Sequence, residues 1–597
     1  MKYPILSELN TSREWLDVFK GYNHNLRIGE GEFNEMTNLS SDNFPILSPR
    51  KQRGIYLPSS DDSNPQGMVA KDALCYVDGS DFVINEYRVP MKLTEDEKPK
   101  TLISMGAYVI IMPDKKYINT TNLNEYGSIE AVVTTSAATR YTLCRESGAE
   151  YSNIHTQPTP PEITEEMEKD PSKIPMWVDT SGNTVFKQYS VSDGSWTTVA
   201  NTYIKIASPG IGLPFSVGDG VIIEGSDLLP SSNELAVIQA MDDVKDDDGN
   251  RVGSDWIVIK GIIDTTIEQT TSFSISRRMP DMDFVIESGN RLWGCRYGYQ
   301  GDTKIVNEIY ASKLGDFKNW NCFAGISTDS YAASVGTDGE FTGAITHLGY
   351  PIFFKENCLH KVYGNYPANY QIQTTACRGV QKGCERSLAI VNEVLYYKAR
   401  SGICAYDGSL PEEISSALGE ETYHSAVAGS LGNKYYVSMA DESENWHFFV
   451  FDTMKGMWHR EDDTEATCFC NCRGDLYYID RADKAIKTVK GTGVPETAPI
   501  KWEAVTGIIG TDSPDKKYIS RMDVRMSLTP GARVLFFAEY DSIGEWVLLF
   551  AMDGIKLRSF SVPIRPQRCD HLRLKIIGTG EAKIFSICKT IEWGSDI

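Results

Sequence analysis

The chain of 597 residues carries 59 Lys+Arg against 81 Asp+Glu, a formal net charge of −22 and a pI near 4.9. Such a surface repels phosphate backbones and excludes a protein that grips nucleic acid through a basic stripe. No run of about eighteen apolar residues exists, which excludes a membrane-spanning helix, and 30 Tyr, 49 Gly and 11% aromatic residues suit many short strands joined by turns.

The opening residues lack an apolar stretch of signal-peptide type, so no secretory signal is expected. The 13 cysteines are then read as free thiols. Ser12 to Lys20 reads as one short helix with Ser12 as its N-cap. Residues 1–55 are polar with embedded apolar side chains, among them Phe33, Met36 and Leu39. This segment is expected to have little fold of its own and to dock on neighbouring subunits or proteins. Its deletion is expected to leave the rest of the chain folded.

From 56 to 141 and from 281 to 492 one pattern recurs: an aromatic-rich strand, a turn with Asp or Gly, then another strand. Examples are Ala73 to Ile84, Tyr350 to Tyr363 and Glu393 to Gly408. The most complete is Asn433-Lys-Tyr-Tyr-Val, followed by His447-Phe-Phe-Val-Phe-Asp-Thr-Met-Lys-Gly-Met-Trp-His459. From 283 to 490 these units repeat at about 40 to 50 residues, the period of a β-propeller blade. A single four-stranded blade cannot bury both faces, and radial stacking of about six or seven would do so.

Residues 142–280 interrupt the series. A Pro-, Thr- and Glu-rich linker from Thr156 to Pro175 precedes alternating strands at 203–224, 235–240 and 256–263, read as a small inserted β-barrel. The acidic stretch Asp246 to Arg251 lacks EF-hand spacing and reads as a hairpin turn. Cys468, Cys470 and Cys472 alternate on one strand and share a face. Thiols on one strand cannot by themselves close a tetrahedral cage, so they read as small buried hydrophobes. From 493 onward at least six strands, spaced by about 10 to 14 residues, suit an antiparallel β-sandwich. The expected class is therefore all-β: a propeller, an inserted small β-barrel and a C-terminal β-sandwich.

Three stretches carry a family likeness. The first runs from Gly29 to Gly54 and ends in Pro45-Ile-Leu-Ser-Pro-Arg-Lys-Gln-Arg-Gly54. The second is Asn307 to Trp320, with Ser312-Lys-Leu-Gly-Asp-Phe-Lys-Asn-Trp320 at its heart, followed by Thr328 to Tyr331, Phe353 to Glu356 and His360 to Gly364. The third is Pro563 to Lys575. Together they resemble the β-propeller proteins of bacteriophage tails, of the tail nozzle or DNA stabilisation type, over about 1–60, 283–410 and 500–590. The resemblance implies a structural virion protein, made in the host cytoplasm, that forms a ring with copies of itself. It implies contact with neighbouring tail or connector proteins and transient, non-specific passage of genomic DNA. Family nozzles contact neighbouring rings through Arg and Lys. Here Arg50, Arg53, Arg565, Arg568 and Arg573 could serve, or they could pair with local carboxylates. The alternative is a peripheral tail protein that binds a host receptor or surface carbohydrate.

No His-Glu-x-x-His, Gly-x-Ser-x-Gly or P-loop motif occurs. The one sialidase-like turn, Ser190 to Trp196, is single, misspaced and outside the repeating units. His360, His424, His459 and His571 lie on or beside expected strands and read as structural. The expectation is no enzyme, no catalytic residue, no metal and no cofactor.

Overall fold

The computed structural model describes residues 11–593 apart from 62, 96–98, 136–137, 229–233, 247–250, 302–303, 511–515 and 564–566. Nearly all regular structure is strand. The single α-helix among the described residues is Glu165–Lys169, five residues long.

Seven four-strand meanders of blade type occur among the described residues, at 65–90, 101–128, 284–334, 343–376, 389–413, 423–460, and 466–488 completed by Gly54–Leu57. The sixth shows how sequence makes a blade. Its central strands Lys434–Asp441 and Trp446–Asp452 are buried almost throughout, so they read as continuous apolar runs. The turn after them is built by Asp452, whose Oδ1 accepts the Met454 and Lys455 amides at 3.2 Å each. Gly456 then takes φ 63°, a left-handed conformation that suits a residue without Cβ.

The seventh blade takes its fourth strand from far away in sequence. Gly54–Leu57 pairs antiparallel with Ala485–Thr488. Cys470, Cys472, Tyr477 and Ile479 of this blade pack on Met68, Leu74, Tyr76 and Val83 of the first, so first and last blades share one apolar cluster. The alternating thiols belong to that packing. All 13 cysteines are free.

By compactness the chain divides into two units. One comprises Met1–Ser104, Gly339–Lys361 and Thr374–Ile597; the other comprises Met105–Asp338 and Val362–Gln373. In the first unit, the expected sandwich is two sheets. One has strand order Thr11–Leu16, Ala582–Trp593, Lys517–Leu528, Arg558–Val562. The other is part of a ten-stranded sheet that begins as the sixth blade. It continues through Gly21–Tyr22 and Glu32–Thr37 into Lys501–Thr506, Leu572–Thr579, Arg533–Tyr540 and Val547–Asp553. The strand Lys517–Leu528 alternates in burial and points Met522, Val524 and Met526 into the core that also holds Val534, Phe536, Leu574 and Ile576. Gly578 lies flat beneath Trp502, where a Cβ would come within 2.0 Å of the indole.

The N-terminal expectations need correction here. Residues 12–20 hold no helix. Thr11–Leu16 is a strand with alternating exposure, and all six of its residues pair antiparallel with Leu16 opposite Ile587 and Thr11 opposite Glu592. A paired sheet edge supplies the hydrogen bonds that an isolated short helix would have to supply alone. Nor is 11–57 a loose docking arm, because its strands are integral to both sandwich sheets and to the seventh blade.

In the second unit, the inserted module is an eight-stranded sheet that already starts at Ala131–Thr134. Among the described residues its end strands, Ala131–Thr134 and Ile267–Gln269, are not paired with one another, so these strands form an open sheet and not a closed barrel. A separate four-stranded sheet, 154–198, carries the Ser190 to Trp196 turn. Around the acidic stretch, Val244–Lys245 pairs antiparallel with Arg251–Gly253, as a hairpin requires; its tip lies outside the described residues.

Candidate functional site

Phe33, Met36 and Leu39 are 1%, 2% and 0% exposed, so they are core residues of their own chain and not docking anchors. Phe33 and Met36 lie on Glu32–Thr37, held between Gly21–Tyr22 and Lys501–Thr506, and Leu39 pairs with Pro49 in a short ladder, so all these neighbours come from the same polypeptide.

The arginines divide. Arg53 is buried, with Nη2 donating to Glu461 at 2.7 Å and Nη1 lying 2.9 Å from Asp462. Nη1 also reaches Thr464 and the Tyr478 hydroxyl, and the guanidinium sits 4.8 Å from the Phe448 ring centre. Arg50 donates to Asn38 at 2.7 Å and pairs with Glu496 at 3.1 Å. Arg573 donates to buried Glu539 at 2.7 Å and lies 5.4 Å over Trp546. These three are engaged within the chain and are not free for a neighbouring ring. Arg568 is exposed, and Arg565 lies outside the described residues.

Beside Arg50 a groove of about 840 Å³ opens between the N-terminal segment and the C-terminal sandwich. Lys51, Lys556 and Lys583 line it, all exposed, and their ammonium groups make no hydrogen bond or ion pair with the described residues. Glu581 is the acidic side chain among its lining residues. Sequence reading missed this feature because its cations are dispersed over more than five hundred positions. A clue was present in the shift from an acidic chain to a near-neutral segment after 500.

The sixth blade gathers a second ionisable group. Glu421, Asp441 and His447 bring donor atoms within 4.8 Å of one another, a spacing that could hold a cation. The hydrogen bonds decide against the imidazole as ligand. Arg460 Nε donates to His447 Nδ1 at 3.1 Å, and an arginine nitrogen can only donate. The proton of neutral His447 is therefore on Nε2, which faces Asp441 Oδ2 at 3.0 Å. His447 thus offers that pocket an N–H and not a lone pair. The bond from His447 holds the Asp441 carboxyl below its usual range; partial burial opposes this, and the Asn445 and Ser443 amides reinforce it. The network ties neighbouring strands of one blade together.

The histidines singled out in sequence lie on strands or beside them. His424 sits 3.6 Å from Glu444, and His571 Nδ1 lies 3.0 Å from Asp570. His360 is pushed down to about 4 by burial and by Lys355, and His459 to about 3 by burial and by Lys434. Both fold as neutral imidazoles. Their contribution to stability is complete above the unfolded value of 6.5 and is lost as pH falls toward those lower values. The urea midpoint is therefore expected to fall between about pH 7 and pH 5, before most carboxylates protonate, and His459→Gln should flatten that slope.

No protein-family model matches the chain, and no curated protein matches it in sequence. Among solved structures it is similar to an exo-β-1,3-galactanase from Phanerochaete chrysosporium with galactose, at 9% identity and TM-score 0.21, covering 51% of this chain and 94% of that one. An engineered GH43 glycoside hydrolase with endo-xylanase and exo-arabinofuranosidase activity matches at 9% identity and TM-score 0.20, covering 52% and 96%. Trypanosoma rangeli sialidase in complex with sialic acid matches at 8% identity and TM-score 0.19, covering 98% and 96%. The expectation that the chain is not an enzyme is withdrawn on this finding, since the solved structures it resembles are enzymes. At these TM-scores the likeness assigns no activity to the chain.

Proposed function

We propose that the chain is a structural protein of a bacteriophage tail, a ring-forming component of nozzle type through which genomic DNA leaves. The three motif stretches suggest the family, and the lysine groove is the observation that carries the assembly. From 501 onward the chain has 14 Lys+Arg and 12 Asp+Glu, a balance of +2, so residues 1–500 carry −24 of the total −22. A cationic groove on one copy therefore faces a strongly acidic surface on the next. Such a contact joins different surfaces of identical subunits, and repeated by rotation it closes a ring. The acidic remainder repels phosphates, which would let DNA slide past without adhering. The virion tail is the location this role implies, with tail or connector proteins as neighbours.

The test is Lys51→Glu/Lys556→Glu/Lys583→Glu. These side chains are exposed, so the variant should stay within about 1 kcal/mol of the parent in stability. The parent is expected to form an oligomer whose size falls as salt screens the contact, and the variant to remain monomeric even at low salt. Oligomers of unchanged size and salt response in the variant would remove the groove from the assembly.

A further inference from the structure

The Gly315-Asp-Phe-Lys-Asn-Trp320 turn does more than connect strands. It is locked by its own hydrogen bonds: Asp316 Oδ1 accepts the Lys318 amide at 3.1 Å, and Trp320 Nε1 donates to the Phe317 carbonyl at 2.9 Å. Asn319 Nδ2 donates to Asp316 at 2.6 Å and to Asp219 of the inserted module at 2.8 Å. Asn319 Oδ1 accepts the Gly220 amide at 2.9 Å. This turn forms one side of a cavity of about 470 Å³ within the second unit, a size within the usual range of small-molecule sites.

A buried ion pair, Arg277 Nη1 on Asp219, also lines it. Arg277 is only 6% exposed. Its Nε donates to the Ile129 carbonyl at 3.1 Å, while its Nη2 makes no hydrogen bond with the described residues although the residue lines the cavity. Lys318 reaches across to the Tyr117 hydroxyl at 3.0 Å and stands 4.1 Å over that ring. Tyr108 and Tyr117 pack on Phe317 at centroid distances of 5.0 and 5.2 Å, making an aromatic wall. Ser128 and Ser216 bring exposed hydroxyls to the rim.

We propose that this cavity binds a neutral saccharide unit. The formal charges of Arg277 and Lys318 are matched by Asp219 and Asp316, and the remaining charged lining residue, Glu130, is paired with Lys115 at 2.9 Å, so neither a phosphate nor an ammonium ligand would gain net attraction. A hydroxyl-rich ring gains from both kinds of group. Its O–H groups can donate to Asp316 and accept from Arg277 Nη2 and Lys318, and its C–H face can lie on the aromatic wall. The buried guanidinium is held in place by Asp219, Asn319 holds that carboxylate in turn, and preorganised polar groups of this kind bind without an ordering cost.

The experiment is saturation-transfer NMR on the full chain with the methyl glycosides of glucose, galactose and N-acetylglucosamine. Saturation transfer to the ring protons of at least one glycoside is expected, with affinity near the about 1 mM of weak sites. Ser216→Trp fills the mouth from an exposed position and should abolish it. Lys318→Met should weaken it about tenfold through loss of a charge-assisted hydrogen bond. Circular dichroism identifies variants that fold as the parent does, and Ser128→Trp provides a second block if Ser216→Trp does not fold. No transfer to any of the three glycosides, or transfer that survives a folded blocking variant, overturns the proposal. Displacement of the glycoside by inorganic phosphate also overturns it, since the cavity would then be an anion site.

Discussion

A chain that begins at residue 58 will fail to fold. The removed segment supplies Thr11–Leu16 to one sandwich sheet, Gly21–Tyr22 and Glu32–Thr37 to the middle of the ten-stranded sheet, and Gly54–Leu57 to the seventh blade. Without it, the blade strand Met457–Arg460 and the sandwich strand Lys501–Thr506 face an empty gap with unpaired backbone groups. Phe33, Met36 and Leu39 also leave the shared core. Each such side chain is worth roughly 1.5–3 kcal/mol in burial alone. With the lost strand pairings, the total is comparable to the about 5–15 kcal/mol by which folded domains are stable. Insoluble or dye-binding, non-cooperative material is expected from expression of the truncated chain. A soluble product with a sharp unfolding transition would show the segment to be an appendage after all.

Arg53→Met is expected to cost about 3–5 kcal/mol, the usual effect of removing one partner from a buried ion pair. The substitution fills similar space but leaves Glu461, 5% exposed, and Asp462 without their nearest cation. Burial pushes the Asp462 carboxyl up, while the charge of Arg53 and the hydrogen bond from Thr464 outweigh it and hold the group below its usual range. A depressed carboxyl contributes stability that is present above its unfolded value, near pH 4, and is lost as pH falls through the folded one. The variant lacks the larger of the two depressing charges and keeps only Arg50, 3.8 Å from Asp462. The stability gap between parent and variant should therefore be widest at neutral pH and narrow in acid. Urea unfolding across that range measures it, and a gap that is small or independent of pH would show that Arg53 serves packing alone.

The blades were legible because their signals are local. Asn433 to His459 contains both buried central strands and the Asp452 turn that follows them, so one window of sequence holds the whole argument. Alternation along Lys517–Leu528 and Leu572–Thr579 likewise marks two half-buried strands of a sandwich. The N-terminal segment was misread because its partners are remote. Arg53 meets Glu461 across 408 positions, and Arg13 meets Cys588 across 575. Seen alone, such a segment is a polar string with a few apolar side chains, the pattern of a docking arm. Alternation in the inserted module identified strands but says nothing about whether the edge strands meet. The arginines could be read either way because only folding places the carboxylates beside them. The groove and the cavity escaped notice for the same reason: Lys51 and Lys556, or Asp219 and Asp316, are neighbours only in three dimensions.

Negative-stain electron microscopy of the purified protein, beside antibody labelling of intact virions, is the most direct test of the tail-ring proposal. Closed rings with an open centre, labelled at the tail neck or tip, are the predicted result. Monomers at every salt concentration, or label confined to fibre positions, would contradict it.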